Sequence, residues 1–158
     1  MILALKVKYT GAADVATTRR RWAEICKPIY KLLGEYWFRE FRPKHFTTAG
    51  GREYAYTPRS RIYSRIKAAV THQTKPLVFS GTSERQTRMA RITASGHHVR
   101  VTLPSSTLGR IIPKSKVDMA KEMTTVSGNE YRALVRLFDR RVEAGLKALR
   151  VQRAISPK

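Results

Sequence analysis

Side chains that could hold a metal or move a proton are few in this 158-residue chain: 4 histidines, 1 cysteine and 11 carboxylates, against 32 Lys and Arg. His97 and His98 are adjacent, and neighbours on a strand point to opposite faces, so the pair cannot share one metal there. His45 and His72 stand alone, and no second cysteine joins Cys26 to complete a zinc set. Ala49-Gly50-Gly51 lacks both the spacing of a phosphate-cradling loop and the Lys-Ser/Thr that follows one. Ser80 beside Gly81 lacks the flanking pattern of a nucleophile elbow. Glu24, Glu35, Glu40 and Glu122 have bases nearby and read as solvated helix partners. Cys26 falls in an apolar stripe and reads as a buried structural thiol. The expectation is a chain that is not an enzyme and takes no cofactor and no metal.

The excess of base is the stronger signal. A formal charge of +21 raises a potential of several kT around so small a body and selects anionic neighbours. The bases cluster at Arg19, Arg20 and Arg21, at Arg59, Arg61, Arg65 and Lys67, at Arg85, Arg88 and Arg91, and at Arg136, Arg140 and Arg141. Tyr54, Tyr56 and Tyr63 lie near the second cluster, where they could stack on bases of a single strand, or belong to the core. No recognised nucleic-acid module is present. The basic residues are dispersed along the whole chain. Composition leaves a nucleic-acid groove reader and a subunit among acidic proteins equally open.

The elements that would position these residues follow from periodicity. Leu3, Leu5, Val7 and Tyr9 alternate with polar positions, as in a half-buried strand over 2–9. Thr10-Gly11 ends it, and Asp14 is placed to cap a helix. Val15, Trp22, Ile25, Cys26, Ile29, Leu32, Leu33 and Tyr36 then recur at helical spacing, with Pro28 expected to kink or split the helix. Residues 42–60 show neither period and read as one extended loop holding Phe46, Tyr54 and Tyr56. A short helix should follow, with Ile62, Tyr63 and Ile66 on one side and Arg61, Arg65 and Lys67 on the other. Leu77-Val78-Phe79-Ser80-Gly81 is a compact apolar run. The segments 87–94 and 98–103 alternate around Ser95-Gly96 and predict a hairpin with Val99, Val101 and Leu103 inward. Pro104, Gly109 and Pro113 mark a loop, and 117–123 a brief helix. Ser127-Gly128-Asn129-Glu130 is a capping box. It opens an apolar stripe of Tyr131, Leu134, Val135, Phe138, Val142, Leu146 and Leu149.

Together these predict an α+β domain: a small antiparallel sheet with a hairpin, packed by a kinked N-terminal helix and a long C-terminal helix, with one extended loop. One domain over 1–150 is expected, with a flexible tail over 151–158. At 42% hydrophobic the chain can build a core. No apolar run of about 18 residues predicts a membrane span. The first residues lack the basic leader and cleavage site of a signal peptide. The lone cysteine excludes an internal disulfide and fits a reducing compartment.

Three stretches carry a resemblance. Tyr-Trp-Phe-Arg-Glu-Phe-Arg-Pro-Lys-His-Phe and Arg-Glu-Tyr-Ala-Tyr-Thr-Pro-Arg-Ser within 36–63 look like a segment of tailed-bacteriophage structural proteins. Lys-Pro-Leu-Val-Phe-Ser-Gly-Thr over 75–82 resembles a motif of the phage virion-morphogenesis and tail-completion (head–tail joining, neck) proteins. Residues 118–146, with Asp-Met-Ala-Lys-Glu-Met-Thr and Phe-Asp-Arg-Arg, resemble the closing segment of the same family. The resemblance implies a structural virion subunit that forms a homo-oligomeric ring, sixfold or twelvefold, at the neck or tail top. Portal, adaptor or tail-tube proteins of the virion would be its partners, with packaged DNA a further one, and no membrane is involved. Such a subunit is made in the host bacterial cytoplasm and ends in the virion. The alternative is a stand-alone basic nucleic-acid-binding protein.

Under the virion reading, Phe46, Tyr54, Tyr56, Arg59, Arg61 and Arg65 are the expected partner or inter-subunit contact, unless they fold back over their own hairpin. Arg19, Arg20, Arg21, Arg85, Arg88 and Arg91 are candidates to meet DNA or an acidic partner.

Overall fold

A computed structural model describes residues 15–75, 77–78, 81–104 and 117–155. Its first element is α1, Val15–Tyr36. Cys26, Ile29, Tyr30 and Leu33 recur on one side of α1 and are buried. Pro28 lies inside α1 without splitting it. The ring sits on the exposed side, where the helical carbonyl it frees can turn to water.

After Tyr36 the turn widens to a π-helical segment, Trp37–Phe41, and then tightens to a 3-10 turn, Arg42–Phe46. This change of pitch sends successive aromatics into two different places. Trp37 and Phe41 enter a first core with Cys26, Ile29, Tyr30, Leu33, Val99, Leu134 and Phe138. Phe46 enters a second core with Tyr54, Tyr56, Leu77, Val78, Leu103 and Met123. The extended loop expected over 42–60 is therefore largely a string of short turns, with α2 at Gly50–Glu53 following the 3-10 turn. Its aromatic side chains supply the apolar area that holds it down.

Next come α3, Arg61–Thr71, and α4, Thr82–Thr87. Strands β1, Arg91–Ala94, and β2, Val99–Thr102, pair antiparallel, with Ala94 opposite Val99 and Arg91 opposite Thr102. The first strand begins later than alternation suggested. Residues 82–87 are helical after Gly81, which takes φ 75°, and Thr87 closes that turn by donating to the Glu84 carbonyl. The hairpin turn is held by Ser95, whose Oγ accepts from the amides of His97 and His98 at 3.2 Å each. Val99 and Leu103 face inward as expected, and Val101 packs against the first core.

The brief helix α5, Met119–Thr124, is capped by Asp118, which accepts from the Lys121 amide. The long α6 spans Gly128–Ile155. It runs through 151–155, residues expected to be tail. α1 packs against α6 and against both strands. The hairpin lies so close to α1 that a Cβ on Gly96 would sit 2.3 Å from the Ala23 Cβ, and one on Gly34 2.6 Å from a Val99 methyl. Mixed helix and strand, a two-stranded antiparallel sheet and two long helices make this an α+β fold. The strand expected over 2–9, the Asp14 cap and the loop around Gly109 and Pro113 lie outside the described residues.

Candidate functional site

Six polar residues are buried among the described residues: His45, Lys67, Thr87, Glu122, Ser127 and Glu130. Most of them prove to hold one junction together. The 3-10 turn places His45 between aromatics, its ring stacked on Tyr54 at 3.7 Å and edge-on to Trp37 at 5.9 Å. His45 Nδ1 lies 3.1 Å from the Glu122 carbonyl and 2.7 Å from the Tyr56 hydroxyl. A carbonyl only accepts, which assigns the proton to Nδ1; the Tyr56 hydroxyl then donates to the His45 carbonyl at 3.3 Å. Burial pushes the imidazole down to about 4, so it is neutral in the fold at neutral pH.

Glu130 belongs to the capping box that opens α6. The Ser127 amide donates to its Oε2 at 3.2 Å, and its own amide donates to Ser127 Oγ at 3.3 Å. Its second oxygen accepts from the Tyr54 hydroxyl at 2.5 Å. The Ser127 hydroxyl donates onward to Glu53 of α2 at 3.3 Å. Burial raises the Glu130 carboxyl, and the hydrogen bonds from Tyr54 and Ser127 oppose that rise. The Trp37 indole N–H has no acceptor at hydrogen-bonding geometry, yet it faces Glu130 closely enough to lower it as well.

Glu122 is the third member and corrects the sequence expectation of a solvated helix partner. Its side chain is 7% exposed and is gripped by the Arg59 fork, Nη1 to Oε1 at 2.9 Å and Nη2 to Oε2 at 2.6 Å. The Thr57 amide adds a third donor at 3.0 Å. Arg59 also donates to the Thr57 carbonyl at 2.5 Å. A planar guanidinium matched to a carboxylate in this way is a rigid joint. It fixes the backbone two residues before α3 begins.

What this joint carries is α3. The Ser60 side chain caps the helix by accepting from the Tyr63 amide at 3.1 Å. His72, in the left-handed region at φ 52°, ends it. Within the helix only Lys67 is buried, and its ammonium donates to the Lys75 carbonyl, tying the following loop beneath it. The polarity is inverted relative to an ordinary surface helix. Ile62, Ile66 and Val70, one turn apart, are 72%, 55% and 65% exposed, with Tyr63 beside them at 37%.

The expected contact residues therefore divide. Phe46, Tyr54 and Tyr56 are buried in the second core, so they fold back over their own domain and do not offer themselves to a partner or to nucleic-acid bases. Arg59 is tied to Glu122. Arg61 and Arg65 are exposed on α3. Arg19, Arg20 and Arg21 are exposed on α1, where Arg20 pairs with Glu24 at 3.2 Å. Arg85, Arg88 and Arg91 are exposed on and after α4, with Arg88 3.9 Å from Glu84. Sequence reasoning missed Glu122, Glu130 and His45 as a joined polar centre. The capping box was the one signal that pointed to any of it. Cys26 is fully buried and its thiol is pushed up to about 11 by that burial, the inert state expected of it.

Among the described residues, no three His, Cys, Asp or Glu side chains gather as a metal site. No helix there is long and apolar enough to cross a membrane. Compared with known protein families, curated proteins and solved structures, the chain matches none.

Proposed function

We propose that this chain is a structural subunit of a tailed-phage virion, assembling as a ring at the neck or tail top and joining head to tail. The observation that carries the reading is the α3 stripe of Ile62, Ile66 and Val70, exposed on a helix that the Arg59–Glu122 joint holds rigid. A subunit that must meet neighbours presents preformed apolar surface in this way. A stand-alone enzyme or groove reader gains nothing from it. The three stretches similar to neck and tail-completion proteins supply the class, and the basic surface suits acidic portal, adaptor or tail-tube proteins or a DNA path. Ring closure, sixfold or twelvefold, requires heterologous contacts between copies.

The test is mass spectrometry of virions produced by the host that encodes the chain, together with sedimentation of the pure protein, alone and with the portal protein. Presence in particles and a closed oligomer are expected. A strict monomer that never enters virions would end the proposal. Binding to duplex DNA that weakens with salt at nearly one log unit per neutralised phosphate, with no particle association, would favour the nucleic-acid alternative.

A further inference from the structure

Four of the seven large hydrophobic side chains exposed among the described residues, Ile62, Tyr63, Ile66 and Val70, stand on α3. Spacing of i, i+4 and i+8 is that of a helix laid into an apolar groove. The charge around this stripe is one-sided. From Tyr54 to Ser83 the chain contains no Asp or Glu, while Arg59, Arg61, Arg65, Lys67 and Lys75 all fall within that stretch. Glu122 answers Arg59. Among the described residues Arg61 and Arg65 have no carboxylate partner.

We propose that α3 is a preformed ligand for an apolar groove rimmed by carboxylates on a different protein. This deepens the assembly reading and rests on it for the biological setting. Two observations select a different protein over a second copy. An antiparallel pair of α3 helices centred on Ile66 would set the two Arg65 side chains beside each other, and like charges so placed oppose pairing. The acid-free stretch from 54 to 83 gives a symmetric second copy nothing nearby with which to answer those arginines. On other faces that a heterologous copy would offer, Glu24, Glu35, Glu40, Glu84 and Glu143 each already lie beside a base of their own. The helix enters its groove already folded, because Ser60, His72 and the Arg59–Glu122 joint fix both ends. Little ordering entropy is then lost on docking.

The test uses the full chain and two synthetic helical hairpins that share a leucine groove, one rimmed with glutamates and the other with lysines. Vesicles of equal parts phosphatidylcholine and phosphatidylglycerol are the third probe. The thiol introduced by I66C gives one labelling position, since Cys26 is buried. Prompt labelling is expected; protection would mean that the chain's own residues cover the face and would overturn the proposal. The glutamate hairpin should bind about tenfold or more tightly than the lysine hairpin. The R61E/R65E pair should reverse that preference, and I66D should abolish binding to both, with helicity by circular dichroism unchanged. Equal binding to the two hairpins, binding to vesicles alone, or self-association that I66D removes would each overturn it. None of the probes contains a phage component, so this result is read independently of whether the chain is found in virions.

Discussion

Arg59 was expected at a partner interface and instead sits in a joint, which makes its removal a test of how the docking helix is held. Glu122 is 7% exposed in its side chain and receives three donors, two of them from Arg59. In R59A that carboxylate stays buried with only the Thr57 amide. Breaking a buried pair from one side costs about 3–5 kcal/mol; because Arg59 is 24% exposed, water reaches the joint and the lower end, about 3 kcal/mol, applies. E122A should cost less, about 2 kcal/mol, because water can recover part of the guanidinium it leaves behind. The double variant should resemble R59A, which gives a coupling energy of about 2 kcal/mol in the double-mutant cycle. For a domain of this size, 3 kcal/mol lowers Tm by about 6–12 °C. Urea unfolding followed by circular dichroism supplies all four corners. R61A and R65A, on exposed positions, are controls and should fall within about 0.5 kcal/mol of the parent. An R59A stability within that same margin, or a strictly additive double variant, would refute the joint.

Three further outcomes are expected. His45 ionises near 6.5 when unfolded and at about 4 when folded, so its contribution is complete above pH 6.5 and is lost as pH falls through that interval, by about 3 kcal/mol in total. Glu130, raised by burial, works in the opposite sense across the carboxylate range. The comparison is therefore between the parent and H45N, whose slope between pH 6.5 and 4 should be flatter; an NMR titration of His45 with a midpoint above 6 would refute the assignment. Y54F deprives Glu130 Oε1 of its donor and should cost about 1–3 kcal/mol in urea unfolding; a neutral result would mean the hydroxyl is not shared with the carboxylate. G96A drives a Cβ to 2.3 Å from Ala23 Cβ and 2.5 Å from its Cα and should cost about 1–3 kcal/mol, read as a lower Tm; an unchanged Tm would place the hairpin further from α1.

The sequence signals that succeeded were local ones. Helical spacing located Cys26, Ile29 and Leu33, the alternation of Val99, Val101 and Leu103 located a strand, and Ser127 with Glu130 announced the start of α6. Each of these is settled within a few residues by backbone geometry. The polar centre was not legible because its partners are far apart in sequence. Tyr54 meets Glu130 across 76 positions, Arg59 meets Glu122 across 63, and His45 meets the Glu122 carbonyl across 77. No periodicity encodes which distant carboxylate a tyrosine or arginine will reach. The misreading of 42–60 has a related cause. A change from α to π to 3-10 pitch erases the 3.6-residue spacing, so aromatics that enter two cores look like residues of a loop.

Helix α3 shows a different limit. Its period was legible, but periodicity alone did not say which side would face the core. An amphipathic pattern says that one side differs from the other, and the usual inference is that the apolar side faces the core. Here the single buried side chain is Lys67, whose ammonium reaches a loop carbonyl, and the isoleucines face outward. The placement of acids strengthens that reversal. Glu122 and Glu130 are enclosed in the junction, while Glu24, Glu35, Glu40, Glu84 and Glu143 each lie beside a base of their own neighbourhood. These seven carboxylates are thus already engaged within the chain, and the formal +21 is carried outward by bases such as Arg61 and Arg65. A helix that turns its apolar side to water beside uncompensated arginines is held by the Arg59–Glu122 joint and the Ser60 cap at one end and by the Lys67 tie from beneath. Removing those anchors should therefore loosen α3 before it disturbs either core, since neither core draws a buried side chain from α3.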